Sequence, residues 1–241
     1  MQTFAPNIVD TKKLTTREAL FPAGLPSAVV FDCDGVLFDS REANIRFYNF
    51  VMERFGRPPL RPDQVDYIHM HSARESLEYL LGSGSDLEAA WAFCQSLDFR
   101  MFNRYLKKEP GLDDLLQYLK PRCLLAMATN RTVSTLDLLA SFHLDKAFDL
   151  VVTAADVTHP KPHPESMEKI LTAFRALPDH VLFIGDSQVD ALLAQRTGVI
   201  FAAYKNPSLS AHIHVPSFAE LKALLALSLD GVLSKPLPAP L

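Results

Sequence analysis

Scarcity in this 241-residue chain removes several classes of function before any motif is read. Three cysteines, Cys33, Cys94 and Cys123, are too few and too scattered for a disulfide framework or a structural zinc site, and fit a reducing compartment. Positive charge is also short. Twenty-four Lys and Arg stand against 28 Asp and Glu, a net charge of −4, so the basic surface that a nucleic acid or an anionic membrane requires is missing. No apolar run approaches the ~20 residues that span a bilayer. Met1 to Asp10 has neither a basic start nor an apolar stretch, so no secretory signal is visible. A globular cytoplasmic protein is expected, as monomer or homodimer, with no nucleic-acid or membrane partner. Its 48% hydrophobic residues suffice for a sizeable core.

What is present is a series of short apolar runs: Ala28 to Phe31, Cys123 to Ala128, Phe148 to Val152, Val181 to Ile184 and Val199 to Ala203. Continuous apolarity marks strands buried on both faces. Helical patterns at Gly111–Leu119, Val133–Phe142, Glu165–Leu177 and Gln188–Thr197 alternate with them, which predicts a doubly wound (Rossmann-like) α/β fold with a parallel sheet. Residues 41–106 break the alternation. They read as helices, including Glu42–Phe55 and Leu87–Tyr105, punctuated by Pro58, Pro59, Pro62, Gly82 and Gly84. The expected division is an N-terminal extension at 1–27 with a short helix after Thr15 or Thr16, an α/β core at 28–40 and 107–233, a helical domain at 41–106 inserted after the first strand, and an extended, Pro-rich tail at 234–241.

Ligands of open parallel sheets gather at the carboxyl ends of the strands. There the chain places Asp32 and Asp34, then Thr129 and Asn130, then Lys161, then Asp186 with Asp190 four residues on. The set suits phosphoryl transfer. A carboxylate attacking a phosphate dianion meets repulsion of several kcal/mol at ~4 Å and an effective dielectric of ~20. A divalent cation on carboxylate oxygens and the Lys161 ammonium would offset it. Thr129 and backbone N–H groups near Asn130 are placed to hold phosphoryl oxygens. Asp34, two residues past Asp32, can protonate a leaving oxygen and later activate water. Gly35 allows the sharp turn beside them. Asp190 has two readings, support for a metal site or the N3 member of a capping box with Ser187.

In order, Asp32-x-Asp34-Gly35-Val36, Thr129, Lys161-Pro162 and Gly185-Asp186-x3-Asp190 resemble the four motifs of the haloacid dehalogenase superfamily. The helical insertion resembles its C1-type cap, in the branch of phosphoglycolate phosphatases and β-phosphoglucomutases. The resemblance implies that Asp32 is the nucleophile and Asp34 the general acid/base. It also implies that Asp32, Asp186 and the Asp34 carbonyl hold Mg²⁺, and that a small phosphorylated metabolite is the substrate. The stretch Tyr67–Ser76 resembles the substrate-specificity loop of such caps, with His71 and Arg74 as readers of a polar or acidic part of that metabolite; a cap-surface salt bridge is the rival role for Arg74. Asp230-Gly231-Val232-Leu233 repeats part of the first motif by chance, with Ser228 where an aspartate would be needed.

Related chemistries are separable by residue. Asp34 counts against a dehalogenase, and a cap region without lysine counts against a phosphonate hydrolase. Asn44 stands where a β-phosphoglucomutase carries histidine, which disfavours a mutase. Phosphate-ester hydrolysis leads, a mutase or an inactive binding protein of the same fold are the alternatives, and a receiver module is disfavoured by the chain's length and its helical insertion. His212 and His214 read as surface residues, Cys33 as a packing residue, and Trp91, Phe93, Phe99, Phe102 and Tyr105 as core of the insertion. His159 and His163 flank Lys161 without an assigned role.

Overall fold

The structure, a computed structural model, describes residues 21, 25–98, 100–132 and 134–233. The chain enters through β1 (Ala28–Phe31) and β2 (Phe38–Asp39), then forms α1 (Arg41–Arg54), α2 (Pro62–Met70), α3 (Ala73–Leu81), α4 (Ser85–Ser96) and α5 (Arg100–Asn103). It returns through β3 (Lys107–Lys108) and continues as α6 (Leu112–Leu119), β4 (Leu124–Ala128), α7 (Ser134–Ser141), β5 (Leu150–Val152), α8 (Glu165–Phe174), β6 (Val181–Gly185), α9 (Gln188–Thr197), β7 (Ile200–Tyr204), β8 (Ile213–Val215) and α10 (Phe218–Leu233).

Six strands form one parallel sheet in the order β5-β4-β1-β6-β7-β8. Successive side chains of a strand point to opposite faces, and here both faces are covered. Val29, Phe31, Leu125, Met127, Leu182 and Ile184 pack with α6, α7 and α10. Ala28, Val30, Ala126, Ala128, Val181 and Phe183 pack with Met167 and Ile170 of α8 and Leu193 of α9. Two covered faces explain why the runs are apolar throughout rather than alternating. The expected α/β fold is observed. Its strand ends shift by a residue or two, and the apolar β8 and α10 extend it.

The chain builds outward from β1 to β4 and β5, then crosses back to β6, β7 and β8. Strand order therefore reverses around β1, and the crevice at the carboxyl ends of β4, β1 and β6 is the ligand position of such sheets. In register, Phe31 lies between Met127 and Ile184, so Asp32 is level with Ala128 and Gly185.

Between β2 and β3, helices α1 to α5 share an apolar cluster of their own, including Phe47, Val51, Ile68, Leu77, Ala90 and Phe102. The segments by which the chain leaves and re-enters the sheet layer pair as a two-stranded antiparallel ribbon, Phe38 opposite Lys108 and Asp39 opposite Lys107. The helix expected at Leu87–Tyr105 is two helices. α4 ends by Leu97, and Asp98 Oδ1 accepts the Arg100 N–H at 3.0 Å, restarting the chain as α5. Tyr67–Ser76 is a helix–helix junction rather than an open loop, because Ser72 and Glu75 form a capping box that starts α3. The repeated tetrapeptide at 230–233 is helical.

Phe21 is buried against the sheet on the α10 side. The helix expected after Thr15 or Thr16, the tail at 234–241, Phe99 and Val133 lie outside the described residues. Among the described residues no helix is long and apolar enough to cross a membrane.

Leu77 is fully buried in the cluster of the inserted helices. Leu77→Ala is expected to cost about 3 kcal/mol through lost transfer energy and a residual cavity. Urea unfolding followed by circular dichroism measures it; a loss below about 1 kcal/mol would mean that the cluster is not tightly packed.

Candidate active site

Four strand ends deliver the site. Asp32 follows β1 and continues its ladder, its N–H donating to the Ile184 carbonyl at 2.9 Å. The turn Cys33–Phe38 then folds back, with the Gly35 N–H on the Phe38 carbonyl and the Leu37 and Phe38 N–H groups on that of Cys33. Gly35 has φ +76°, and a Cβ there would stand 1.9 Å from Asp186 Oδ2. The residue must be glycine because the β6-end carboxylate lies directly over it. A Cβ on Gly185 would meet the Asp190 Cβ at 2.4 Å, so its absence lets the first turn of α9 press against β6.

Lys161 connects the carboxylates. Its Nζ lies 2.8 Å from Asp32 Oδ1 and 2.7 Å from Asp190 Oδ1, with all three side chains buried. Burial disfavours the ammonium, but Asp190 and Asp32 outweigh it and hold Lys161 above the ordinary lysine range. Asp190 is the N3 member of the capping box, and it also pairs with Lys161. Oδ1 takes Lys161, while Oδ2 accepts the Ser187 hydroxyl at 2.5 Å and the Ser187 N–H at 3.2 Å, completing the capping box.

Asn130 turns its side chain to the Lys161 loop. Its side-chain amide donates to the Lys161 carbonyl at 3.0 Å, and its Oδ1 accepts the Lys161 N–H at 2.9 Å. The side chain thus fixes the backbone that carries the lysine, which leaves the main chain as what Asn130 can offer a phosphoryl group. Thr129 is buried, and its hydroxyl accepts the Arg131 N–H at 3.1 Å.

Arg131 is the residue the sequence reading missed. It projects from the β4 end, and its Nε and Nη2 form a two-point pair with Asp34 at 2.6 and 2.9 Å. Nothing marks it in the chain except its place one residue past Asn130. Burial alone would raise the Asp34 carboxyl, yet Arg131 holds it below the ordinary range. Asp32 behaves oppositely. Burial and the Asp190 charge lift it to about 7 despite Lys161. Asp186 is raised well above the ordinary value by burial and then by Asp190 and Asp32. Burial likewise raises the Cys33 thiol well above its ordinary value, in keeping with a packing role.

These acids fit a divalent cation. Among the described residues Asp32, Asp34, Asp186 and Asp190 form ion pairs only with Lys161 and Arg131, an excess of two negative charges when all are ionised. Carboxylate oxygens of Asp32, Asp186 and Asp190 lie within 4.8 Å of one another. Asp190 already has both oxygens engaged. Asp186 has no hydrogen-bond donor to its carboxylate among the described residues, and Asp32 keeps Oδ2 free of donors because Lys161 and the Cys33 N–H both use Oδ1. Hard oxygen donors with an uncompensated double charge are what a small divalent ion requires.

A cavity of about 510 Å³ rises from Asp32 and Asp34 to the inserted helices. His71 and Arg74 line it. Arg74 also pairs with Glu88 and lies 5.5 Å from the Trp91 ring, while His71 stacks on Tyr67 at 3.8 Å with Nδ1 on the Tyr67 carbonyl. His69, which had no expectation attached, also lines the cavity; its Nδ1 is 3.2 Å from the Asn44 amide, and its buried Nε2 has no partner among the described residues. His212, far along the sheet, uses Nδ1 to accept the Phe201 N–H.

The model of haloacid dehalogenase-like hydrolases matches residues 29–204. This chain belongs to that family. The hydrolase is 30% identical to a phosphorylated carbohydrates phosphatase of Thermotoga maritima over 71% of its own length and 82% of the relative's. It is also 30% identical to a phosphoglycolate phosphatase of Rhodobacter capsulatus, over 82% and 94% of the two chains. Among solved structures, a HAD-superfamily hydrolase of subfamily IA, variant 1, from Geobacter sulfurreducens superposes with a TM-score of 0.68 at 40% identity, covering 85% of this chain and 98% of that one.

The crowded carboxylates make stability depend on pH. In the folded hydrolase Asp32 and Asp186 keep protons that the unfolded chain, with carboxyls near 3.8, releases. Through these two groups the folded state binds more protons than the unfolded chain from about pH 4 toward 7, which lowers stability over that interval. The depressed His69 and His212 act in the opposite sense. Thermal unfolding without divalent ions should show Tm dropping from pH 5 to pH 7.5, and Mg²⁺ should recover most of the loss at the upper end. A Tm that rises with pH, or ignores Mg²⁺, contradicts this charge balance.

Proposed function

We propose that this hydrolase is a Mg²⁺-dependent phosphatase that cleaves a small phosphorylated metabolite through a phospho-aspartate on Asp32. The observation that carries the reading is the state of Asp32. It is a buried carboxylate oriented by Lys161 through one oxygen, with the other open, beside the unpartnered Asp186 and at the floor of the cavity. Asp32 and Asp186, with the Asp34 carbonyl, are the groups that would hold the ion. When bound, Mg²⁺ supplies charge neutralisation for the phosphoryl group.

The chain's own residues account for the remaining steps. Lys161 and the N–H groups after Thr129 attract and orient the phosphoryl oxygens. A carboxylate oxygen of Asp32 attacks phosphorus as the ester bond to the leaving oxygen breaks. To give a proton to the departing oxygen Asp34 must first take one from solvent and loosen from Arg131; as a carboxylate it then takes one from the water that hydrolyses the acyl phosphate. Its pairing with Arg131 favours the carboxylate, so Arg131 sets the balance between the two halves of that cycle. Arg74 and His71, on the cavity wall, are the groups we assign to the leaving-group end of the metabolite. Asn44 in place of histidine continues to weigh against a mutase.

Hydrolysis of an aryl phosphate should require Mg²⁺ and be lost on chelation. Asp32→Asn should lower kcat by on the order of 10³-fold or more while leaving the fold intact. Failure to turn over any compound in a screen of phosphorylated metabolites with Mg²⁺ present would refute the activity.

Arg131→Met leaves a buried carboxylate without its counter-ion and raises the Asp34 carboxyl. The alkaline limb of the kcat/KM profile should then move to higher pH, with a stability loss of about 3 kcal/mol. An unmoved limb would exclude Arg131 as the group that tunes Asp34.

A further inference from the structure

The segment His159-Pro160-Lys161-Pro162-His163-Pro164-Glu165 sends Lys161 inward to the carboxylates. The residues at alternate positions on either side gather elsewhere. His159, His163 and Glu165 bring an imidazole nitrogen each and a carboxylate oxygen within 4.8 Å of one another. The two rings lie 4.6 Å apart at 35°, and His159 Nδ1 is 3.6 Å from Glu165 Oε2. That separation is too long for a hydrogen bond. It is close to the roughly 3.4 Å between two donors that share a tetrahedral ion at about 2.1 Å.

The frame around these groups is rigid. Three prolines fix φ within seven residues. The Glu165 carboxylate accepts the Thr158 N–H at 2.9 Å and the His159 N–H at 3.0 Å, and the His163 N–H donates to the Pro160 carbonyl at 3.0 Å. Arg196 from α9 donates to the Pro162 carbonyl at 2.8 Å, and Asn130 holds Lys161 at both main-chain atoms. Little ordering remains to be done when a ligand binds, which favours binding. Two features oppose a cation, the positive N-terminal end of α8 and the Lys169 ammonium 3.6 Å from Glu165 Oε1. Lys169 lies against Oε1, whereas the His159 nitrogen faces Oε2, where the Thr158 and His159 N–H groups at 3.1 and 3.0 Å would share the oxygen with an ion. The Nδ1 of His163 accepts the Glu165 N–H only at 3.3 Å, a long bond that can be exchanged for a metal.

We propose that His159, His163 and Glu165 form a second metal site, on the outer side of the Lys161 loop, for a borderline divalent transition ion such as Zn²⁺ or Co²⁺. Two nitrogens and one oxygen select against Mg²⁺, which takes oxygen donors. Three protein ligands leave a coordination position to water. The ion would clamp the two ends of the loop that delivers Lys161. The site is separate from the acidic cluster, and it stands whether or not the phosphatase reading does.

Equilibrium dialysis of the full chain against Co²⁺, with saturating Mg²⁺ to fill the acidic cluster, tests this without using turnover. The wild type should retain one equivalent of Co²⁺ with the visible spectrum of a tetrahedral nitrogen-rich site. His159→Ala and His163→Ala should each weaken binding at least tenfold. The double variant should lose both the equivalent and the spectrum while keeping its metal-free Tm. No Mg²⁺-resistant Co²⁺ in the wild type, or an unchanged equivalent in the double variant, overturns the proposal.

Discussion

The ammonium of Lys161 is the charge around which the strand ends are arranged. It lies within 3 Å of Asp32 and of Asp190, and without it three carboxylates would converge on one crevice with no cation among them. At an effective dielectric of about 20, each like-charged pair at 4 Å costs roughly 4 kcal/mol. Asn130, Arg196 and the proline-rich segment all serve to keep that lysine's backbone in place. Asp190 joins the arrangement to the start of α9 through Ser187. The same residues that fold the end of β6 into a helix therefore also set the charge of the site.

A compensated pair and an uncompensated group divide the chemistry. Asp34 is matched by Arg131 and stays a strong acid; Asp32 and Asp186 share too little positive charge and are driven upward. Environments that push neighbouring carboxyls apart are the usual way one fold assigns different roles to identical side chains. The two negative charges that Asp32 and Asp186 would add on ionising are the physical argument for a divalent ion, and it does not depend on resemblance.

Much of the fold was legible because parallel strands covered on both faces leave unbroken apolar runs, such as Val181 to Ile184. Boundaries in the inserted helices were less so. The break after α4 depends on the Asp98 side chain competing with the helix backbone, and the start of α3 on the Ser72–Glu75 capping box. Both are single-residue hydrogen-bond choices that periodicity does not register. The pairing of β2 with β3 was invisible for another reason: it joins residues some seventy positions apart with only two pairs in register.

The sequence by itself determined the chemical inventory: which carboxylates, which lysine, which hydroxyl, and that each follows a strand. A strand's length and a turn's glycine are local matters, so position after a strand can be read from the chain. Tertiary structure alone decided partnerships. Arg131 reaches Asp34, ninety-seven residues away, and the Asn130 side chain bonds to the Lys161 backbone. Asp190 serves two neighbours at once. These outcomes follow from strand order, which places β4, β1 and β6 side by side. That order joins strands far apart in the chain, so no local property of the site residues encodes it.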